Sequence, residues 1–383
     1  MAAMPSAAWS PCLFRSRTWV DMRSPSFRHI IIGRPSQRGL SLIELMISIT
    51  IGLLILSAMA TLFANQSRTR SELDKSNRMV DNGRYALEVL SENLRLAGFY
   101  GTLNPASITL PSAVPDPCST AMADIAAAIP LHVQGHDAAG ADADIALPPA
   151  CAPATLKTGS DILVIRRADT SAAVTQAAAV AAASTTPYLQ ASQCQYDSAA
   201  TTYLVDNNPA SLTLRQRNCT TTSTTPYADL RRMMVHIYYI DANNEAGDGI
   251  PTLKRIELSD TSTLAAVPLV EGIEYMQVDY GVDGDTDGDG LLDIAIFDGT
   301  ADSYSSTCAA CATAENWVAY WSNVVSVKLN IVARNIEPTA GYTDTKIYSL
   351  GLDGTYTPAV GDHYKRHAYT QVVRLVNPSG RRE

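Results

Sequence analysis

The clearest set of potential metal ligands is an acidic, glycine-rich run, DGDTDGDGLLD, in the C-terminal third of the chain. Alternating carboxylates around a turn supply the oxygen ligands that Ca²⁺ prefers, and Gly290 permits the sharp bend that calcium loops use. Closely spaced carboxylates also repel one another when no cation is present. We therefore predict a calcium site with the ligands Asp283, Asp285, Asp287, Asp289, Asp293 and the backbone carbonyl of Leu291.

The same run is also typical of an acidic hairpin turn that binds no metal tightly. An EF-hand loop would end in Glu at its twelfth position, where this chain has Ile296, and no flanking helices are evident. A calcium loop between strands is the preferred interpretation. The other acidic turn, 241–249, has less regular spacing and is interpreted as a hairpin loop.

A single charged residue, Glu44, lies in the almost continuously apolar stretch from Leu40 to Ala64. As a helix rising about 1.5 Å per residue, this stretch is about 37 Å long and can cross a bilayer. An ionised carboxylate costs about 2.5–3.5 kcal/mol at the centre of a bilayer and less near its surface, so Glu44 is expected to have a partner. A cut between Gly39 and Leu40 would supply one, since it creates an α-amino group with Glu44 at the fifth position of the new chain.

The segment GLSLIEL at 39–45 resembles the type IV prepilin motif, in which a glycine precedes the cut and a glutamate lies at mature position five. In that family, prepilin peptidase cleaves after the glycine and methylates the new amine. The glutamate then neutralises the amine of a neighbouring subunit during assembly. The resemblance implies processing at Gly39 and Leu40 and an assembly role for Glu44. An ordinary signal anchor with an isolated glutamate is the alternative.

A second segment, NGRYALEVLSENLRLAGFYG at 82–101, resembles the corresponding stretch of PilW-type minor pilins. The later order of a hairpin, EGIEYMQVDYGVD, WSNVVSVKLNIVAR and a final strand is also similar to that family, whereas residues 103–230 match it poorly. The resemblance implies a minor pilin that acts with other minor pilins and the major pilin in a priming complex at the pilus tip. A large tip adhesin is a further partner that it suggests.

Charge defines the compartment and excludes one class of partner. Residues 1–39 form the predicted leader, although Met22 is an alternative start. Their basic character keeps the N-terminus in the cytoplasm, so the head is expected outside the inner membrane and later on the pilus. Loss of six arginines and one aspartate with the leader changes the formal net charge from −9 to −14. Such an acidic domain argues against nucleic-acid binding, which needs basic surfaces.

Six cysteines follow the leader, and Cys12 lies within it. An even number in an exported chain predicts three disulfides. Sequence proximity suggests the pairs Cys118–Cys151, Cys194–Cys219 and Cys308–Cys311. The last pair forms CAAC, which is also found in redox motifs and zinc sites, but there is no second CxxC or HxxxH cluster to support zinc.

The spacing of apolar residues predicts how these sites are positioned. The membrane or filament-core helix spans 40–64, an amphipathic continuation spans 65–98, and a β-rich head spans 99–383. The head contains clear strands at 161–167, 233–240, 252–258, 273–280, 324–332 and 366–376, and the Ala-rich run 172–186 is a short helix or an irregular insertion. We expect an α+β, pilin-like fold, with the long helix packed on an antiparallel sheet and with large loop insertions.

Catalytic patterns are absent, since GxSxG, HExxH, Walker and GxGxxG motifs do not occur and His236 lies in an apolar strand. The chain is therefore predicted not to be an enzyme. Two alternatives to a minor pilin stay open. One is a type II secretion pseudopilin, which shares the leader and helix. The other is a membrane-anchored, calcium-dependent adhesin or binding domain that never polymerises.

Overall fold

The structure, a computed structural model, describes residues 39–137, 151, 155–197, 202–220, 227–293 and 297–382. The predicted leader up to residue 38, with Met22 and Cys12, lies outside the described residues, and so does Ile296. Contacts along the chain divide it into two units, Met1–Ala64 and Asn65–Glu383. This division coincides with the predicted end of the apolar stretch.

The chain begins with one long helix, α1, at Leu42–Leu96. Its bounds lie within two residues of the predicted span, and Gly98 follows with a φ of +70°, a conformation that ends helices readily when the residue is glycine. Inside α1, Gly83 provides a close contact. A Cβ at that position would overlap the ring of Tyr369, so this close approach needs glycine.

The other elements are short. Four further helices are described: α2 (Met122–Ala127), α3 (Gln176–Ala181), α4 (Ala314–Ser322) and α5 (Val376–Ser379). Single 3-10 turns span Pro105–Ser107, Pro209–Ser211 and Gly351–Asp353. The strands are β1 (Val133–Asp137), β2 (Asp161–Ala168), β3 (Tyr188–Ala191), β4 (Tyr203–Asp206), β5 (Leu230–Asp241), β6 (Thr252–Leu258), β7 (Leu264–Glu271), β8 (Ile273–Val282), β9 (Ser303–Ser305), β10 (Val324–Arg334), β11 (Tyr348–Ser349), β12 (Thr355–Tyr356) and β13 (Arg366–Arg374).

These strands form two main antiparallel sheets rather than one. Seven strands pair in the order β1-β2-β5-β3-β4, with β6 on β5 and β7 on β6, and four pair in the order β13-β10-β8-β9. The predicted strands are all present, but the expectation of a single sheet is wrong. Gly272, between β7 and β8, has a φ of +76°, and a Cβ there would lie 2.7 Å from the Arg334 carbonyl oxygen. This glycine lets the chain turn from one sheet directly into the other.

The second half of α1 packs on both sheets through a narrow apolar stripe. Met79, Ala86, Leu90 and Leu94 are buried in one core with residues of β2 and β5 from the larger sheet and of β8, β10 and β13 from the smaller one. Spacing of three and four residues places these side chains on one helix face. The predicted α+β fold, with a long N-terminal helix followed by antiparallel sheets, is confirmed.

Two segments differ from the sequence interpretation. The first of the large loop insertions expected in the head, before β2, contains α2 and β1, although 138–150 and 152–154 lie outside the described residues. Strand β7 was missed because Pro268 lies within it, and proline normally argues against a strand. Its position at the sheet edge, beside β6 alone, explains why the proline is tolerated. In the Ala-rich run, α3 confirms the short helix.

Three disulfides join segments of the head. They link Cys118 to Cys151, Cys194 to Cys219 and Cys308 to Cys311, the pairs that sequence proximity suggests. The first two close loops of 33 and 25 residues. A crosslink of this kind stabilises mainly by restricting the unfolded chain.

Candidate functional site

The start of α1 is capped by Ser41, a residue that the sequence analysis did not single out. Its hydroxyl accepts a hydrogen bond from the Glu44 N–H at 3.2 Å, and its carbonyl accepts one from the Leu45 N–H at 3.1 Å. Glu44 therefore occupies the first turn, where the helix dipole favours a negative charge. The spacing S-x-x-E is a capping signature and would have identified Ser41.

The first unit exposes a continuous apolar surface. Fifteen large apolar side chains between Leu40 and Phe63 are each more than half exposed. Three hydroxyls within this stretch bond to the helix itself, since Ser48, Thr50 and Thr61 each donate to a backbone carbonyl three or four residues earlier. By length and composition, α1 is able to cross a membrane.

Glu44 is the exception in this surface. Its side chain is exposed and makes no hydrogen bond or ion pair with any residue that the structure describes. A carboxylate among apolar side chains is costly once they are covered by lipid or protein, unless a cation accompanies it. This end of α1 therefore requires a positive partner for Glu44. Gly39 and Leu40, the predicted cleavage positions, precede the helix and are exposed.

The acidic run forms a compact loop after β8. Asp285 is fully buried, and its two carboxylate oxygens accept hydrogen bonds from the Gly288 N–H at 2.8 Å and the Gly290 N–H at 2.9 Å. One oxygen each from Asp285, Asp287 and Asp289 lies within 4.8 Å of the others. Carboxylates at this separation can share one hard cation such as Ca²⁺. Calcium binding here stays a prediction.

Two predicted ligands lie outside this group and have other roles. Asp283 is buried, pairs with Arg382 at 2.9 Å and accepts a hydrogen bond from the Gly299 N–H at 2.9 Å. Asp293 accepts hydrogen bonds from both the N–H and the hydroxyl of Thr286. These contacts close the two ends of the loop. Asp283 and Asp293 therefore hold the three central carboxylates in position and do not belong to that group.

The CAAC disulfide packs against this loop, which the sequence did not indicate. A Cβ on Gly290 would lie 2.5 Å from the Cys308 Sγ, and the Ala310 N–H donates to the Asp289 carbonyl oxygen at 2.9 Å. Gly290 has a φ of +92°. The glycine is therefore needed for this close approach as well as for the turn, and Cys308–Cys311 acts as a local support for the acidic loop.

Comparisons with known families bear on the two ends of the chain. The family described as prokaryotic N-terminal methylation motif matches residues 34–60, which include Gly39, Leu40 and Glu44. The family described as type IV pilus-assembly protein W, PilW, matches residues 237–377, from within β5 into α5. No curated protein and no solved structure matches the chain.

These two matches support a PilW-type pilin. The matched range contains the four-stranded sheet and the acidic loop, whereas the stretch 82–101, which also resembles this family, lies outside both matches. The PilW-type pilin is associated with the type IV pilus, and its family is structural rather than catalytic. Its apolar helix and prepilin-like motif are consistent with a membrane anchor that later joins the pilus.

Two of the three histidines that are buried in the described head, His132 and His236, agree with a structural role. Burial lowers the pKa of His132 to about 4 and that of His236 to about 3. His132 contacts the Val324 carbonyl oxygen at 2.6 Å through Nε2, and His236 contacts the Asn93 side-chain oxygen at 3.1 Å through Nδ1. Both rings are therefore neutral near pH 7. His132, just before β1, contacts β10, and His236, in β5, contacts α1.

Proposed function

We propose that this pilin is a minor subunit that helps to start type IV pilus assembly as part of a priming complex at the tip. Prepilin peptidase cleaves it between Gly39 and Leu40 in the inner membrane, with the head in the periplasm. Its apolar helix then leaves the bilayer and packs among the helices of other minor pilins and the major pilin. Glu44 pairs with the N-terminal amine of a neighbour and sets the register.

The unpartnered carboxylate of Glu44 carries this proposal. Each large apolar side chain contributes about 1.5–3 kcal/mol when it is buried, so the exposed surface from Leu40 to Phe63 favours association but does not select a register. One charge in that surface does select a register, because removing its cationic partner leaves a buried charge that costs about 3–5 kcal/mol. In a filament of cleaved subunits, the α-amino group of a neighbouring subunit can supply that cation.

Processing is tested first, by intact-mass and N-terminal peptide analysis of the protein made with and without prepilin peptidase. The proposal expects a methylated N-terminus at Leu40 that depends on the peptidase. An uncleaved chain, or a cut at another residue, would favour a membrane-anchored binding domain instead.

Assembly is tested by replacing Glu44 with Ala in cells that lack the native copy. Cleavage should be intact, but the amount of this subunit in sheared pili should fall at least tenfold. The matched control is Glu88→Ala, because Glu88 is an exposed glutamate on the same helix and lies outside the apolar stretch. Normal piliation with the Glu44 variant would contradict the assembly role.

The priming role is separated from the role of a type II secretion pseudopilin by the phenotype of the deletion. Loss of surface pili with unchanged protein secretion is expected here. Unchanged pili with impaired secretion would identify a pseudopilin.

Contact with a large tip adhesin is part of the same proposal. It predicts that immunogold labelling of the head marks the tips of filaments and not their length.

A further inference from the structure

Arg167, near the end of β2, is a buried cation without an acidic partner. The residue is 9% exposed, and its guanidinium donates only to two neutral oxygens, the Ala168 carbonyl at 3.3 Å and the Asn93 side chain at 3.5 Å. Its Nε has no hydrogen-bond partner in the part of the chain that the structure describes. Burial lowers the pKa of Arg167, and the carboxylates of Asp169 and Glu92 oppose that shift without pairing with it. A buried charge of this kind is costly unless an opposite charge accompanies it.

Two further donors without partners lie on the same face of the larger sheet. Tyr238 of β5 lies opposite Arg255 of β6, and Arg167 of β2 lies opposite Met234 of β5. Side chains two residues apart on a strand share one face, so His236 lies between Met234 and Tyr238, and the two arginines flank it. The Tyr238 hydroxyl and the Arg255 Nε are both buried, and neither has a hydrogen-bond partner among the described residues. Such groups are rare in folded proteins and call for a specific explanation.

The charges around His236 are not balanced. Burial lowers the pKa of this ring, which is therefore neutral, and three nearby guanidinium groups lower it further: those of Arg255, Arg167 and Arg232. Two of the three have an acidic partner, since Arg255 pairs with Glu257 and Arg232 pairs with Asp260. One positive charge, that of Arg167, is therefore in excess.

The three unpartnered atoms indicate the chemistry of a ligand. All are donors, because two are guanidinium Nε atoms and the third is a phenol hydroxyl that keeps its proton, since burial raises the pKa of Tyr238. An oxyanion accepts several hydrogen bonds and carries the missing negative charge, and guanidinium groups bind carboxylates and phosphates well. A water molecule accepts only two hydrogen bonds and leaves the charge of Arg167 uncompensated.

We infer that Arg167, Arg255 and Tyr238 form a binding site for one small oxyanion, a carboxylate or a phosphate. The bound anion joins β2 to β6 across β5, next to Asn93 of α1. The Arg255 side chain is partly exposed, so the anion enters from the solvent side of this face. A free anion and a carboxylate side chain of a neighbouring subunit both have the required chemistry. The site itself does not depend on the proposed function, whereas a carboxylate from a neighbouring subunit does.

Titration of the purified full-length protein with phosphate, at constant ionic strength, tests the site. At saturation the unfolding temperature of the native protein should rise by about 5 °C. Arg167→Met, which keeps the length of the apolar stem and removes the charge, should lose this response. Arg84→Met, at an exposed arginine of α1, is the matched control and should keep it. Phosphate also stabilises proteins in general, so an equal response of the two variants, or no response of the native protein, would overturn the inference.

A second variant tests the hydroxyl and keeps the ring. Tyr238→Phe removes one unpartnered donor, so the affinity for phosphate should fall about tenfold. Its unfolding temperature without phosphate should match that of the native protein, because no hydrogen bond to a described residue is lost. Unchanged affinity for phosphate would overturn the inference, and this variant decides if Arg167→Met does not fold.

Incorporation into sheared pili distinguishes the two sources of the anion. If a neighbouring subunit supplies a carboxylate, incorporation of Arg167→Met should fall about tenfold, with cleavage after Gly39 unchanged. If the anion is free, incorporation should stay within about twofold of the Arg84→Met control, although the response to phosphate is lost. A native protein that is not cleaved or not found in pili would contradict the proposed function and leave the phosphate titration unaffected.

Discussion

Two clusters of three carboxylates in the head have opposite surroundings. In one, Glu274, Asp344 and Asp362 converge on Arg366, whose side chain is fully buried. In the other, Asp285, Asp287 and Asp289 converge on one another, and no cationic side chain pairs with any of the three in the described chain. The first cluster carries its own cation, whereas the second is arranged around a position where a cation would lie.

The presence of a cation in only one cluster means that the two clusters are stabilised in different ways. A buried cation with three carboxylates is part of the fold, because removal of one member leaves uncompensated charge in the interior. The acidic loop is held by backbone donors to Asp285, by the Asp283–Arg382 pair and by the neighbouring disulfide. These contacts fix the shape of the loop, and a bound metal would add stability that grows with the logarithm of its concentration above the dissociation constant.

The largest expected effect comes from removing the cation of the first cluster. Arg366→Met should lower the free energy of unfolding by about 3–5 kcal/mol at pH 7, because three acidic groups lose their common partner. Chemical denaturation of the purified protein measures this change. Arg84→Met, at an exposed arginine of α1, is the control and should change stability by less than about 0.5 kcal/mol. Equal effects of the two substitutions would contradict the comparison.

The next effect comes from supplying the second cluster with a cation. At a calcium concentration one hundred times the dissociation constant, binding should stabilise the folded head by about 2.7 kcal/mol. A thermal shift that rises with calcium and is reversed by a chelator is the expected measurement. Magnesium is the comparison ion, and it should have a smaller effect because it loses its hydration water reluctantly. No shift at millimolar calcium would assign the loop to the class of acidic turns.

Replacing the exposed carboxylate of Asp287 distinguishes an effect on metal binding from an effect on the structure of the loop. Asp287→Asn should abolish most of the calcium-dependent shift and change the stability of the metal-free protein by less than about 0.5 kcal/mol. Asp248→Asn, in the other acidic turn, should keep the full calcium response, because Asp248 accepts hydrogen bonds from its own loop backbone. Calorimetric titration of both variants with calcium checks this. Loss of the response in both would show that the effect is unspecific.

Local patterns in the sequence were sufficient to predict much of this molecule. Periodicity predicted α1 to within two residues at each end, and alternation predicted the principal strands of the head. Division of these strands between two sheets was not predictable, because it depends on which distant strands pair. Gly272 is the residue that permits the change of sheet, but a single glycine between two apolar strands reads equally well as a hairpin turn.

The candidate sites show the same limit. The spacing of carboxylates indicated the central group of Asp285, Asp287 and Asp289, since these residues are close in sequence. Asp283 fits the same spacing but pairs with Arg382, which is 99 residues away and has no local signal. The support of the loop by Cys308 depends on a similar distant contact. Partners that are remote in sequence therefore decide which of several similar carboxylates remain available to bind a cation.

The smallest expected effect concerns a carboxylate outside both clusters, Glu72 of α1. It is partly exposed and pairs with Lys75 and Lys365. A hydrogen bond from the Thr339 hydroxyl and contact with Lys365 at 3.0 Å lower the pKa of Glu72 to about 2. Because this pKa is lower in the folded state, the contribution to stability is present above about pH 4.5 and is lost as the pH falls towards 2. Thermal unfolding between pH 2 and pH 7 should therefore show a steeper decline for the native protein than for Glu72→Gln. At pH 7 the substitution should cost at most about 1 kcal/mol, as is usual for ion pairs near the surface, and Glu88→Gln should leave the profile unchanged. Parallel profiles for the native protein and the Glu72 variant would show that this contact adds nothing to the attachment of α1 to the head. That attachment would then rest on the apolar stripe and on hydrogen bonds such as the one from the Tyr369 hydroxyl to the Val80 carbonyl oxygen.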